Sequence, residues 1–333
     1  MVILAYGAEP HLEKCIDAVL ASKGVDVDVV LVDNGCPRLE AIAELGDRRE
    51  VTLVRPQTNL GFAGGCNAGA AQSRGDVLVF VNSDAIVAAD AIQQLGDAVC
   101  RPEVGLATAS IRLAEDPALL NSAGNPWHLS GVVWSGHFGE PAAEYEVATA
   151  VATASGAAFA IRRQVWDALG GFDNTWFAYN EDADLSIRAW QRGWSVVYVP
   201  EAVVVHHYEF SRNPRKSYLL ERNRLLNVLT LYEARTLFLL APVLVAFELG
   251  VLIVASRQGW LREKLDGYVW LFRHPGWLRS RRRAVQACRV VPDRELRQLF
   301  TSRFDPSNIE APAGVTALNV AVDRYWRAVR NFV

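Results

Sequence analysis

Cysteine is scarce in this 333-residue chain, and the five present, Cys15, Cys36, Cys66, Cys100 and Cys288, are scattered and nowhere spaced as Cys-x-x-Cys. An odd, dispersed set excludes a disulfide framework and a zinc ribbon and points to a reducing compartment. A basic leader followed by a long apolar stretch is also missing. The chain opens on Val2-Ile3-Leu4-Ala5-Tyr6, which predicts a protein that is not secreted. There is no Walker loop, and the place of a dinucleotide fingerprint after the first strand holds Tyr6-Gly7-Ala8-Glu9. No internal repeat or low-complexity tract is visible.

What is present suffices for a large core: 51% of residues are hydrophobic and 21% charged, which rules out a disordered or collagenous chain. The net charge of -3 hides a division. Residues 1–200 carry 13 Lys and Arg against 25 Asp and Glu, whereas residues 201–333 carry 21 against 12. The acidic first part argues against a nucleic-acid partner.

Over the first 110 residues, short β-rich runs alternate with segments of helical period, the pattern of an α/β domain with a largely parallel sheet. Strands are expected at Val2–Tyr6, Val27–Val32, Val51–Val54 and Val77–Val81, and helices at His11–Ser22, Leu39–Leu45 and Ala63–Ser73. From Ala107 to Thr149 the period weakens, which predicts irregular hairpins and loops. Order returns with a strand at Ala157–Ile161, helices at Arg163–Leu169 and Glu181–Arg192, and strand at Val196–Val199 and Ala202–Val205. Open α/β sheets bind ligands beyond the carboxyl ends of their strands, so Tyr6, Asp33-Asn34 and Asn82-Ser83-Asp84 are expected at one crevice.

Each candidate has a plain structural reading beside the chemical one. Asp33-Asn34-Gly35 is either a tight turn or a strand-end carboxylate that accepts from a base or ribose. The glycine-rich stretch Asn59-Leu60-Gly61-Phe62-Ala63-Gly64-Gly65-Cys66-Asn67 either packs a helix closely on the sheet or leaves helical N–H groups free for a ligand. Asp84 ends an apolar strand where a hard cation would need only one or two protein oxygens. Glu181, Asp182 and Asp184 fall within four residues at a helix start, where acids are stabilised by the helix end but also raise one another's pKa, as a general base requires. Val203-Val204-Val205 ends in His206-His207, one of which must face each side of the strand.

In this order, these segments resemble the family 2 glycosyltransferases of the GT-A fold, in particular the bacterial rhamnosyltransferase-like branch. The resemblance covers about residues 1–225. It implies a Rossmann-like, mixed but mostly parallel sheet flanked by helices over residues 1–210, followed by a helical extension, 211–333. It implies an inverting transferase that moves a sugar from a UDP- or dTDP-type donor to a hydroxyl of a saccharide or lipid-linked acceptor in cell-surface polysaccharide or glycolipid assembly. By the same resemblance, Tyr6, Asp33, Asn59, Gly61, Phe62, Ala63, Asn67, Asn82 and Ser83 would surround the nucleotide sugar. Asp84 and His206 would hold a magnesium or manganese ion, Asp182 would be the catalytic base, and Trp176, Glu181 and Asp184 would meet the acceptor. Two departures stand out: Asn82 replaces the first acid of a full Asp-x-Asp, and Ala5-Tyr6-Gly7 stands where Thr-Tyr-Asn is usual. The competing readings are a nucleotidyltransferase, which would want a basic glycine-rich loop after the first strand, and a catalytically silent nucleotide-sugar-binding or scaffold protein.

After residue 210 the texture changes. Arg212–Arg224 is basic and helix-like, Thr236–Ser256 carries only Glu248 as a charge, and Trp260–Phe272 is aromatic-rich before a cluster at Arg279, Arg281, Arg282 and Arg283. Three placements are open for Thr236–Ser256: a membrane span, a helix lying at the cytoplasmic leaflet, or a buried helix packed on the catalytic domain or on a second copy in a homodimer. Cations at both ends favour the second, a protein peripheral to the inner face of the plasma membrane.

Overall fold

The computed structural model describes residues 1–37, 39–207, 215–306 and 315–333. Four parallel strands, β1 (Val2–Ala5), β2 (Val29–Asp33), β3 (Val51–Val54) and β4 (Val77–Asn82), form one half of a ten-stranded sheet. The order runs β3-β2-β1-β4 and then continues through later strands: β5 (Ala85–Val87), β6 (Val104–Leu113), β7 (Leu120–Ser122), β9 (Thr149–Ala150), β10 (Ala158–Arg162) and β11 (Ser195–His206). Strand β10 is antiparallel to both β4 and β6, while β6 and β11 are parallel, so the sheet is mixed.

Alternation along the strands builds two cores. Ile3, Leu31, Val79 and Val81 face one side, against α1 (Leu12–Leu20), α2 (Leu39–Gly46) and α4 (Ala91–Cys100). Val2, Leu4, Val30, Leu78 and Phe80 face the other, against α3 (Gly61–Gln72), α5 (Arg163–Leu169) and α6 (Glu181–Gln191). Small residues let α3 lie close: a Cβ on Gly65 would fall 2.3 Å from Leu4, and one on Gly69 2.4 Å from Val2.

The expected loop region contains an error. Residues 104–113 form β6, a long strand between β10 and β11, whose Gly, Ala, Thr and Ser show no alternation because both faces are covered. Its polar side chains are satisfied internally, Ser110 with the Tyr198 hydroxyl at 2.8 Å and Thr108 with the Ser155 N–H at 3.1 Å. The two strand pieces expected at 196–205 are one strand, β11, shifted in register between Val199 and Val203.

The remainder is helical: α7 (Lys216–Leu231), α8 (Ala234–Gln258), α9 (Leu261–Arg273), α10 (Pro275–Ala287), the short α11 (Asp293–Leu296) and α12 (Val315–Val329). Residues 212–214 of the expected basic helix, and the expected boundary at 210/211, lie outside the described residues. Strand β12 (Phe300–Thr301) pairs with β8 (Trp127–His128). Helix α6 serves two cores: Leu185 and Ala189 pack on the sheet, while Ala183 and Ile187 join Val228, Leu231, Leu240, Val285 and Trp326.

Candidate active site

Register brings the strand-end residues together. Ala5 lies opposite Asp33 and Leu4 opposite Asn82, so Tyr6, Asp33-Asn34 and Ser83-Asp84 sit side by side at the carboxyl ends of β1, β2 and β4. Tyr6 is 57% exposed, and its ring lies over the Gly35 turn, 3.6 Å from where a Cβ on that glycine (φ 118°) would be. The Asp33 carboxylate accepts N–H bonds from Gly35 and Cys36 and an Arg55 bond at 3.2 Å. Turn chemistry and strand-end placement therefore coexist in one residue.

The glycine-rich stretch corrects an expectation. Three of its amides are taken: Leu60 N–H donates to Asn34 Oδ1, Gly61 N–H to Asn59 Oδ1, and Ala63 N–H to the Phe177 carbonyl. Asn34 also donates to Asn59 and to the Gly61 carbonyl, which makes it the hub of this corner. Gly61 is obligatory, since its φ is 73° and a Cβ would fall 2.3 Å from the Phe177 carbonyl oxygen. Asn67 clasps the Gly170-Gly171-Phe172 turn, accepting from Phe172 N–H at 3.1 Å and donating to its carbonyl at 2.8 Å. Phe62 is half-buried beside Phe172.

Strand β5 pairs with β11 so that Ala85 faces His206, and this sets His206 against Asp84. His206 Nε2 is 3.1 Å from Asp84 Oδ1, and its Nδ1 is 3.4 Å from Asn121 Oδ1. His207 points elsewhere and stacks on His11 with centroids 3.7 Å apart. Among the described residues no group of three or more His, Cys, Asp and Glu clusters as metal ligands. Carboxylate and imidazole are nonetheless ligands a divalent cation accepts, so Asp84 and His206 fit such an ion completed by substrate oxygens, and the adjoining Asn121 Nδ2, buried without a partner, is a donor for one of those oxygens.

The three acids at the start of α6 have three different surroundings. Asp184 is buried and bonded by Arg188 at 2.7 Å and Arg281 at 2.8 Å. Glu181 is buried with Oε2 unpartnered, and burial followed by the Asp182 charge pushes its carboxyl well above the usual range. Asp182 is partly exposed. Its Oδ2 accepts the Gly156 N–H at 2.9 Å and its Oδ1 the Ala183 N–H at 2.8 Å. Enclosing protein raises its pKa, and those two donors offset only part of that rise.

Of the residues expected at the acceptor, Trp176 is also fully buried, its Nε1 donating to Asn227 at 3.1 Å. Trp176, Glu181 and Asp184 thus lie beneath the surface at which Asp182 emerges.

The loop before α6 is strained. Phe177, Tyr179 and Asn180 all have positive φ, and α7 holds them there. Asn223 Nδ2 donates to the carbonyls of Trp176, Ala178 and Tyr179 at 2.7–2.9 Å, Arg222 to those of Thr175 and Trp176, and Asn227 to that of Asn180. Sequence reasoning missed Asn121, Gly156 and Asn223, which carry no local signal.

Asp182 and the Asp84–His206 pair are linked through the backbone. Gly156 N–H reaches Asp182, and the next residue, Ala157, accepts the Asn82 N–H at 2.9 Å, two positions before Asp84.

Known proteins share the fold and the family. The fold is similar to GalNAc-T7 solved with UDP, GalNAc and Mn2+ (TM-score 0.57, 18% identity, 71% of this chain and 48% of that one). It is also similar to the mannosyltransferase PcManGT from Pyrobaculum calidifontis, solved with GDP-Man and Mn2+ (TM-score 0.51, 16% identity, 99% and 86%). In sequence the chain is 29% identical over 232 residues to the N-acetylglucosaminyl-diphospho-decaprenol L-rhamnosyltransferase of Mycobacterium tuberculosis strain H37Rv, covering 62% of this chain and 75% of that protein. It is 26% identical over 225 residues to the O-antigen biosynthesis protein RfbC of Myxococcus xanthus, covering 63% of this chain and 17% of that protein. Residues 1–227, which hold every strand-end residue, the acid cluster and the α7 clamp, match the family described as glycosyltransferase like family 2, and the chain belongs to that family.

Proposed function

We propose that the protein is an inverting glycosyltransferase that moves a hexosyl or rhamnosyl unit from a UDP- or dTDP-sugar to a hydroxyl of a saccharide or lipid-linked saccharide, in cell-surface polysaccharide or glycolipid assembly at the cytoplasmic face of the membrane. The observation that carries the reading is the sorting of the α6 acids. One is tied to two arginines, one is buried without a partner, and one, Asp182, is partly exposed and held by Gly156, whose neighbour Ala157 bonds the strand end at Asn82. The rhamnosyltransferase relative, whose name specifies a lipid-linked acceptor, supports the acceptor class.

Asp182 takes the proton of the acceptor hydroxyl as that oxygen attacks the anomeric carbon on the face opposite the nucleotide, and configuration inverts in one displacement. Its two N–H donors hold the carboxylate in place and favour its charged form over the neutral one. Tyr6 and Asp33, with the Asn59–Asn67 loop, bind base and ribose, and Asn82-Ser83 line the diphosphate. Asp84 and His206 would hold a divalent magnesium or manganese ion, which when bound supplies positive charge to the departing diphosphate. Trp176, Glu181 and Asp184 shape the acceptor side from beneath.

Thermal shift with a panel of nucleotide sugars, with and without magnesium or manganese, identifies the donor, because a ligand that binds only the folded state raises its stability. NMR of the product gives the anomeric configuration. Inversion is expected, and retention would overturn the single-displacement mechanism.

A further inference from the structure

Helix α8 has 25 residues, about 37 Å at the standard helical rise, and is apolar enough to cross a bilayer. It is instead attached to the protein along its length. Thr236, Leu240, Val243 and Ala255 are buried along one side. Glu248 turns inward as well, accepting from Arg224, from Tyr268 and, at 2.7 Å, from Lys264. Lys264 of α9 is fully enclosed and also reaches Glu221 of α7 at 2.6 Å. Tilting α8 away into lipid would strand this buried set of two cations and two acids.

The opposite side is apolar and exposed. Phe238, Val245, Leu249 and Ile253 are exposed at spacings that share one helical face, and Phe238 is 80% exposed. Helix α9, which packs on α8, exposes Leu265, Val269 and Phe272 at i, i+4 and i+7, with Phe272 84% exposed. Both helices bury their charged sides on α7 through Glu248 and Lys264, so both stripes turn away from it. Along α8–α10 the exposed charges are Arg235, Arg257, Arg262, Arg273, Arg279 and Arg283 against Asp266. Helical spacing puts Arg235 in the α8 stripe and sets Arg262 and Arg273 beside the α9 stripe.

We propose that the outer face of α8 and α9 docks flat on an anionic bilayer, inserting Phe238, Val245, Leu249, Ile253, Leu265, Val269 and Phe272 to headgroup depth while the arginines engage lipid phosphates. Charge selects this occupant over a second copy of the chain, since apposing two such faces would set arginine against arginine. The inference deepens the membrane placement proposed above but does not depend on the transfer chemistry.

The test is flotation of the full chain with vesicles of phosphatidylcholine alone or mixed with phosphatidylglycerol. Wild type is expected to float with the anionic vesicles and to come off in high salt and in alkaline carbonate. The paired Phe238→Glu, Phe272→Glu variant is expected to bind about tenfold more weakly or worse, as loss of two apolar anchors dictates, with unchanged thermal unfolding and unchanged nucleotide-sugar binding. Undiminished flotation of the variant would overturn the proposal, as would resistance of the wild type to carbonate, the mark of a spanning helix. Absence of vesicle binding in a wild-type dimer that the variant converts to monomer would assign the face to self-association instead. Vesicle binding in a protein that transfers no sugar would sink the functional reading alone.

Discussion

Arg281 on α10 and Asp184 on α6 stand 97 positions apart, and one guanidinium nitrogen of the arginine lies 2.8 Å from both carboxylate oxygens. The same arginine sits over the Trp176 ring and 3.3 Å from Asp173, so the C-terminal helices are built into the support of the acid cluster. Arg281→Ala removes one partner of a buried pair whose acid keeps only Arg188. A loss of about 3 kcal/mol in urea unfolding is expected, and Asp184→Asn in the same background should recover part of it, because an uncharged partner no longer needs the cation.

The unpartnered Glu181 gives a prediction with a definite sign. Its pKa in the folded protein is raised by burial and by Asp182, so the folded state holds a proton that the unfolded chain releases above its ordinary value. Stability from this group is therefore present at low pH and lost as pH rises toward the raised value. Glu181→Gln, neutral at every pH, should match wild type in acid and be the more stable of the two in alkali, with turnover kept within a few-fold. Equal pH dependence of the two unfolding midpoints would show that Glu181 is ionised in the folded protein.

Asn223 makes no contact with substrate in this account and acts through the loop it clamps. Asn223→Ala deletes three hydrogen bonds to carbonyls of a segment with three positive-φ side-chain residues. Turnover should fall by about 10²-fold, the order that an ångström of misplacement costs, while thermal-shift titration with the donor nucleotide stays at the wild-type midpoint.

Substitution at the proposed cation site should separate metal from nucleotide. Asp84→Ala and His206→Ala are expected to abolish the extra stabilisation that magnesium or manganese adds to nucleotide-sugar binding, and Asp84→Ala to do so more completely because it removes the negative charge. His207→Ala, which breaks only the stack on His11, should leave that stabilisation intact.

Strand-end chemistry was legible in the sequence because strands buried on both faces are apolar until they end, so Asp33 and Asp84 stand out against Val-Val-Leu-Val and Val-Leu-Val-Phe-Val. The acids of α6 stood out for the same reason, but not their division of labour. That depends on Arg281, Gly156 and Asn223, which come from distant parts of the chain, and no local pattern announces which carboxylate a remote arginine will claim. Strand β6 was hidden because its middle, residues 107–110, is Ala-Thr-Ala-Ser, small enough to pack between two strands and too polar to register as a core run. In the glycine-rich stretch close packing was legible, whereas the donors that Asn34 and the Phe177 carbonyl take were not, since those partners lie elsewhere in the chain.

The central claim is that Asp182, and not either neighbouring acid, removes the acceptor proton. Its direct test is the initial rate of sugar transfer by Asp182→Asn beside wild type, with donor affinity measured on the same preparations. The account predicts a rate lower by about 10²–10⁴-fold with donor affinity and unfolding midpoint unchanged. Turnover at the wild-type rate would contradict it.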